Sequence, residues 1–253
     1  MQDTSALQDK LNEIAVHSPL PAKSLQYCNL LGRDDLRAAL CSILQRTSMQ
    51  SITVTPENMM MSAGAAGVLD NLFFLLADEG SSCLCPAPYY PAFDGDLGNK
   101  PGVKTWPIYF ESVESSDTTS VLDQAKRAAE SARQPPRAIL ISNPDNPTSV
   151  LQSEQRLKDM LFWCIKHKVH LVVDEIYALS TFPSSRPFRS MMELASEVSE
   201  TLPDSKVEVL WEHVHVVSAL SKDFCMSGTS PISSLQLPTC VHRWYEWCLH
   251  RPG

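Results

Sequence analysis

One lysine of this chain follows a short apolar segment and could act as a nucleophile. Lys222 stands in Ser-Lys-Asp-Phe, shortly after the mostly apolar segment 214–217. It can be an ordinary charged residue of a surface loop. Alternatively, its amine can form a Schiff base, because a low-dielectric site lowers the pKa of a lysine and makes the amine nucleophilic. The lysine alone favours the surface interpretation.

An aspartate at the end of a second apolar segment favours the Schiff-base interpretation. Asp174 follows Leu-Val-Val at 171–173, so burying its carboxylate would require a cation or hydrogen-bond donors. The protonated pyridine nitrogen of pyridoxal 5'-phosphate (PLP) is such a cation, and an aspartate beside it keeps the ring electron-withdrawing. A helix cap or a metal carboxylate is the alternative interpretation.

Three further side chains could contact the same ring. Tyr177 lies three residues after Asp174, and Asn146 could donate an amide hydrogen to a phenolate oxygen. Tyr90, in Pro-Tyr-Tyr-Pro at 88–91, could stack on a ring face, although a tyrosine in a turn more often packs against its neighbours.

These residues lie within a regular alternation of apolar strands and amphipathic helices. Strands that are apolar throughout are typical of a mostly parallel sheet with helices on both faces, an α/β fold. Asn146, Asp174 and Lys222 then follow the carboxyl ends of three strands, where ligands bind in such sheets. The predicted strands are 82–85, 103–109, 138–142, 169–173 and 214–217, and the predicted helices are 34–44, 68–76, 121–132 and 153–165.

Three ordered motifs resemble the signatures of the fold-type-I, class I/II aminotransferases. They are Asn-Pro-Asp-Asn-Pro-Thr at 143–148, Asp-Glu-Ile-Tyr at 174–177 and Ser-Lys-Asp-Phe at 221–224. A fourth segment, Pro-Tyr-Tyr-Pro-Ala-Phe-Asp at 88–94, resembles the 1-aminocyclopropane-1-carboxylate synthases and their animal homologues. The resemblance implies the large domain of the PLP-dependent transferase fold.

The resemblance also implies a role for each candidate residue. Lys222 would hold PLP as a Schiff base and then transfer the proton at the α-carbon of an amino-acid substrate. Asp174 would pair with the pyridine nitrogen, and Asn146 and Tyr177 would hydrogen-bond the ring oxygen. Tyr90 would stack on the ring. Transamination and an elimination of the 1-aminocyclopropane-1-carboxylate type are both open, as is an inactive homologue that binds PLP or serves as a dimerisation partner.

The predicted phosphate site departs from the family pattern. The backbone at Ala65 and Ala66 would receive the phosphate at a helix N-terminus. However, Ala66 stands where relatives commonly have a hydroxyl residue, Ala219 replaces a phosphate-binding serine, and Ser230 replaces an arginine that holds the phosphate through two hydrogen bonds. We therefore expect weakened binding of the phosphate group.

The expected domain organisation is an incomplete one. We expect an N-terminal arm at 1–33, which has no clear apolar period, a large domain at 34–229 and a divergent tail at 230–253. The small C-terminal domain of the family is expected to be missing. Ser149 and Cys225 stand where the family pattern has glycine.

Histidines elsewhere in the chain do not predict a metal site. Cys164, His167 and His170 are spaced by three residues, but His170 is expected to begin a strand, so the three would not share one helix face. His213 and His215 flank the start of another strand and are predicted to be partly exposed structural residues.

Composition bounds the partners and the compartment. A net charge of -8 argues against non-specific binding of nucleic acid. No apolar stretch reaches the roughly 18 residues that span a bilayer, and the mixture of charged and apolar residues at the N-terminus is not expected to be a signal peptide. The 8 cysteines are scattered and are expected to be reduced, so we predict a cytoplasmic protein. The resemblance implies an amino-acid substrate and a homodimer.

Overall fold

Five parallel strands form the centre of the chain. The computed structural model describes residues 5–17, 27, 29–112, 117–182 and 187–227. The strands are β1 (Ser82–Pro86), β2 (Lys104–Ile108), β3 (Pro136–Ser142), β4 (His170–Asp174) and β5 (Val214–Val217). They form one sheet in the order β2-β1-β3-β4-β5. The predicted strands and the α/β class are confirmed.

Helices connect and cover the strands. They are α1 (Ser5–His17), α2 (Asp34–Arg46), α3 (Gly64–Leu76), α4 (Phe93–Gly98), α5 (Thr118–Ser131), α6 (Glu154–His167), α7 (Met191–Thr201), α8 (Asp204–His213) and α9 (Leu220–Asp223). The sequence predicted α2, α3, α5 and α6 but not α4, α7, α8 or α9. The described side chains of α1 are all exposed, and the sequence did not predict this helix, because the segment has no clear apolar period.

Ser153 shows how local chemistry starts one of these helices. Its hydroxyl accepts a hydrogen bond from the backbone N–H of Arg156 at 3.2 Å, which caps the N-terminus of α6. α6 ends at His167, and the C-cap residue Lys168, with a φ of 55°, turns the chain into β4. The capped helix therefore delivers the chain to the amino end of the next strand.

Helices pack on both faces of the sheet, and the side chains of the strands alternate between them. On one face, α2 and α5–α8 cover Leu171 and Val173 of β4. On the other face, α3 and α4 cover Val172 and Val217. The structure thus confirms a sheet buried on both sides, which explains why its strands are apolar throughout. Among the described helices, none is long and apolar enough to cross a membrane.

The strand order places a crevice at the carboxyl edge of the sheet. β2 and β3 lie on opposite sides of β1, so the segments that follow β1 and β3 diverge in opposite directions. In open α/β sheets, ligands bind in the crevice that such a divergence opens. A ligand site is therefore expected at the carboxyl edge of the sheet, beyond Pro86, Ser142, Asp174 and Val217.

Candidate active site

Backbone hydrogen bonds hold three strand ends side by side at this edge. Asp174 is in register with Ser142 on β3 and with Val217 on β5. Beyond the last register pairs, the Asn143 N–H donates to the Asp174 carbonyl at 2.9 Å, and the Glu175 N–H donates to the Val217 carbonyl at 2.7 Å. The segments that carry Asn146, Tyr177 and Lys222 consequently leave the sheet next to one another.

Asp174 is a buried acid on the face that α3 and α4 cover. Its side chain shares the orientation of Val172, because side chains alternate along a strand. Burial raises the pKa of its carboxyl from 3.8 to about 7, the hydrogen bond from the Ile176 N–H opposes that rise, and the charge of Asp96 adds to it. Among the described residues, no lysine or arginine pairs with this carboxyl. The site therefore suits a ligand that brings its own cation.

The neighbouring acid, Glu175, faces the opposite side of the sheet. Its Oε1 accepts a hydrogen bond from the Met191 N–H at 2.6 Å, at the start of α7, and its Oε2 finds no hydrogen-bond partner within the described part of the chain. Burial raises the pKa of this carboxyl from 4.5 to about 8. Glu175 therefore fixes α7 to β4 and lies outside the crevice. The sequence reasoning did not assign it this structural role.

Asn146 and Tyr177 line the same cleft, as the ring-oxygen prediction requires. The loops after β3 and β4 form its walls, with Ser149 and Phe182 among the lining residues. Oδ2 of Asp145 accepts a hydrogen bond from the Thr148 N–H at 3.1 Å, which holds the turn that presents Asn146. Asp174 and Lys222 lie on adjacent segments and do not line this cleft.

Tyr90 lies in the segment after β1 and packs against α4. Its ring meets that of Phe93 edge to face, with centroids 5.5 Å apart, and 40% of the residue is exposed. The adjacent Tyr89 is anchored instead through its hydroxyl, which hydrogen-bonds Asp94 and Thr105. Tyr90 is thus the member of the pair whose ring remains available for stacking.

The N-terminus of α3 offers backbone N–H groups to an anion. Its N-cap, Ala63, makes no side-chain capping bond, and the first turn contains no acidic residue. Ala65 is partly exposed and Ala66 is exposed. A few residues join the end of α3 to the start of β1, so the helix runs antiparallel to the strand and its N-terminus lies at the carboxyl edge. Uncapped N–H groups and the helix dipole favour a phosphate there.

Lys222 lies on α9, a single helical turn that follows β5 and is otherwise partly buried. Its side chain is exposed, and its ammonium has no ion-pair or hydrogen-bond partner among the residues that the structure describes. Ala219, where the resemblance predicts a serine, is 5% exposed and contributes only a methyl group. Ser230 lies outside the described residues. Asp223, which sequence reasoning overlooked, joins α9 to the loop after β4 through two hydrogen bonds.

Comparison with known proteins agrees with this geometry. The model of the family "Aminotransferase class I and II" matches residues 20–230. The chain belongs to this family. It is 35% identical over 198 residues to 1-aminocyclopropane-1-carboxylate synthase 7 of Arabidopsis thaliana, which covers 78% of this chain and 42% of the plant protein. With 1-aminocyclopropane-1-carboxylate synthase 2 of Solanum lycopersicum it is 33% identical, covering 78% of this chain and 39% of that protein.

The chain thus spans about two fifths of the length of the curated relatives it matches. These relatives are plant proteins, so the likeness to animal homologues stays a prediction. An aminotransferase from Mycobacterium tuberculosis superposes with a TM-score of 0.71 at 22% identity, over 95% of this chain and 57% of that one. A mutant aspartate aminotransferase of Thermus thermophilus superposes with a TM-score of 0.68 at 21% identity. The superposition covers 94% of this chain and 57% of that one. These structures support the fold, that of the large domain.

PLP is the cofactor of this family, and the described residues largely fit it. The buried, cation-free carboxyl of Asp174 suits the pyridine nitrogen, and the uncapped N-terminus of α3 suits the phosphate. The cleft lined by Asn146 and Tyr177 adds a hydrogen-bonding wall. Ala219 does not fit, because a buried methyl group cannot donate a hydrogen bond to a phosphate. The groups that fit PLP are therefore Asp174, for the pyridine nitrogen, and the N-terminus of α3, for the phosphate.

Proposed function

We propose that this chain is an aminotransferase-type domain that binds PLP, attached to Lys222, and acts on an amino acid. The observation that carries the proposal is the buried carboxyl of Asp174, which has no cationic partner among the described residues. Such a carboxyl destabilises the fold wherever it is ionised, unless a bound cation offsets that cost.

Each residue has a task in this proposal. The cofactor, when bound, supplies a ring that withdraws electrons from the substrate α-carbon. The Asp174 carboxylate accepts a hydrogen bond from the ring N–H and keeps the proton there. Asn146 and Tyr177 donate hydrogen bonds that orient the ring. Lys222 would hold the cofactor through its amine, and the same amine would move the proton at the substrate α-carbon.

The relatives support an amino-acid substrate. Two are named as 1-aminocyclopropane-1-carboxylate synthases, and the superposed structures are aminotransferases. Both reaction types require removal of the proton at the substrate α-carbon, which is the task proposed for Lys222. We therefore propose either transamination or an elimination of the 1-aminocyclopropane-1-carboxylate type.

Absorbance spectroscopy of the purified chain with PLP tests the proposal. Cofactor bound covalently to a lysine absorbs at the violet edge of the visible spectrum, and we expect this band in the wild type and its loss in Lys222→Ala. Lys206→Ala, which changes an exposed lysine of α8, is the matched control and should keep the band. If the wild type shows no band at millimolar PLP, the proposed function is wrong.

An inactive homologue that binds PLP without turnover, or that serves as a dimerisation partner, is the second candidate. Ala219 favours it, because the phosphate there lacks a hydroxyl donor. An amino acid that shifts the absorbance band would support turnover, whereas a band that no amino acid shifts would support binding alone. Ala219→Ser should tighten PLP binding about tenfold, the effect of one hydrogen bond to a charged acceptor. Unchanged affinity would contradict the reasoning about the phosphate.

We further propose a cytoplasmic homodimer, as the resemblance implies. In support, all of the cysteines that the structure describes are free thiols, and four of those five are buried. Light scattering of the purified chain across a concentration series measures the assembly, and a monomer at all concentrations would contradict the homodimer.

A further inference from the structure

A carboxylate next to Lys222 connects the two segments that must meet at the cofactor. Oδ2 of Asp223 accepts a hydrogen bond from the Leu179 N–H at 3.0 Å, and its Oδ1 accepts one from the Ser180 hydroxyl at 2.6 Å. Asp223 ends α9, whereas Leu179 and Ser180 belong to the loop that carries Tyr177. These bonds span more than 40 residues of sequence.

The same loop is fixed at its other end by the sheet. The Glu175 N–H donates to the Val217 carbonyl at 2.7 Å, so the loop after β4 begins against the end of β5. Within the loop, the Ser180 N–H donates to the Tyr177 carbonyl at 3.0 Å. Tyr177 therefore lies between two attachments to the β5–α9 segment, one through the backbone of Glu175 and one through the side chain of Asp223.

α9 depends on such an attachment because it is too short to hold its own position. It has four residues, and its N-cap, Ala219, makes no side-chain hydrogen bond. Isolated helical turns of this length are unstable in water. Burial raises the pKa of the half-buried Asp223 carboxyl, and the bonds from Ser180 and Leu179 oppose that rise, so these bonds favour the charged form.

We propose that Asp223 is a positioning residue that sets the place of Lys222 relative to Tyr177. The inference rests on the proposed function, since it assigns Asp223 a task at the site where Lys222 attaches the cofactor. Asp223 does not touch the cofactor. It keeps the lysine-bearing turn and the tyrosine-bearing loop at a fixed separation, so that the amine and the phenol reach the same ring.

Two substitutions of Asp223 separate its position from its charge. Asp223→Ala removes both hydrogen bonds, and we expect the equilibrium constant for covalent attachment of PLP to fall about tenfold. Asp223→Asn keeps an oxygen to accept from the Leu179 N–H and gains an amide that can donate to the Ser180 oxygen. It should therefore remain within about twofold of the wild type. Asp204→Asn, at an exposed aspartate that begins α8, is the matched control and should leave the equilibrium constant for PLP attachment unchanged.

A coupling measurement distinguishes positioning from a general structural role. If Asp223 acts by placing Lys222 and Tyr177 together, Tyr177→Phe should weaken PLP attachment less in the Asp223→Ala background than in the wild type. Hydrogen exchange gives a reading without cofactor, because the Leu179 amide should exchange faster in Asp223→Ala. Should that variant fail to fold, Ser180→Ala removes one bond only and should give about a threefold loss of attachment.

The outcomes separate this inference from the proposed function. Unchanged attachment in Asp223→Ala, or an equal loss in Asp223→Asn, overturns the positioning role even when the wild type shows the absorbance band. Additive effects of Asp223→Ala and Tyr177→Phe overturn it as well. A wild type without any band overturns the proposed function first, and the role of Asp223 at Lys222 with it.

Discussion

The raised pKa of Asp174 predicts an unusual pH dependence of stability in the cofactor-free chain. The carboxyl has a pKa of about 7 in the folded protein against 3.8 ordinarily. Between these values the folded state holds a proton that the unfolded state has lost, so folding stability falls as the pH rises through this window. Asp174→Asn removes the ionisation while keeping an oxygen for the Ile176 N–H.

The size of the effect follows from the two pKa values. Each pKa unit corresponds to about 1.4 kcal/mol, so the carboxyl destabilises the fold by about 4 kcal/mol at about pH 8. At about pH 5 the folded side chain is still protonated, and the penalty is about 1.7 kcal/mol. The difference in unfolding free energy between Asp174→Asn and the wild type should therefore grow by about 2.5 kcal/mol from the lower to the higher pH.

Urea unfolding followed by far-UV circular dichroism measures both proteins at both pH values. Glu175, whose pKa is about 8, is present in both proteins, so its own titration cancels to first order in the comparison. A difference between variant and wild type that does not grow with pH would refute the assignment of a buried, cation-free carboxyl. With PLP added, the wild type should regain stability at the higher pH, because the ring cation compensates the carboxylate.

Three further predictions concern stability. Ser149 and Cys225 have φ of 59° and 55°, so changing each to glycine should raise the unfolding free energy by about 0.5 kcal/mol, because relief of backbone strain exceeds the added freedom of the unfolded chain. Urea denaturation measures this change, and a loss of stability would contradict the prediction. Burial lowers the pKa of His215, so stability should fall as the pH drops below the ordinary value of 6.5, and His215→Gln should flatten that fall in thermal melts. Glu175→Gln should lower the free energy of unfolding by less than about 1 kcal/mol near neutral pH. Glu175→Ala leaves the Met191 N–H without its acceptor and should lower it by about 2 kcal/mol, as measured by chemical denaturation.

The placement of the candidate site could be predicted because its residues follow strands that sequence reveals. Asn146 and Asp174 each come shortly after an uninterrupted apolar run, and the carboxyl ends of parallel strands share one edge. The same logic placed Lys222 correctly after β5, but not on a helical turn. Four residues are too few for the apolar periodicity that marks a helix.

Other elements escaped prediction for different reasons. α4 buries only Phe93 and Leu97 and contains two glycines, so it lacks a readable period. α7 does have a helical pattern in Met191, Leu194 and Val198, and this signal was available in the sequence but not used.

Long-range contacts account for the remaining differences. His215 was predicted to be partly exposed, yet it is fully buried, because His170 provides a hydrogen-bonding nitrogen 3.0 Å away on the neighbouring strand. Asp223 likewise finds its partners across the fold. A polar residue looks exposed in sequence when the partner that allows its burial lies 45 residues away.

The two acids that end β4 make the length of that strand critical. Asp174 faces the crevice and Glu175 faces α7, and one backbone step separates them. Deleting or inserting a single residue within β4 would exchange their sides, so that Glu175 turns to the face that α3 and α4 cover and the shorter Asp174 turns to the face of α7. β4 should therefore tolerate a change of one apolar side chain for another far better than a change of length. Variants with one residue deleted from or inserted into β4 should lose cofactor binding completely.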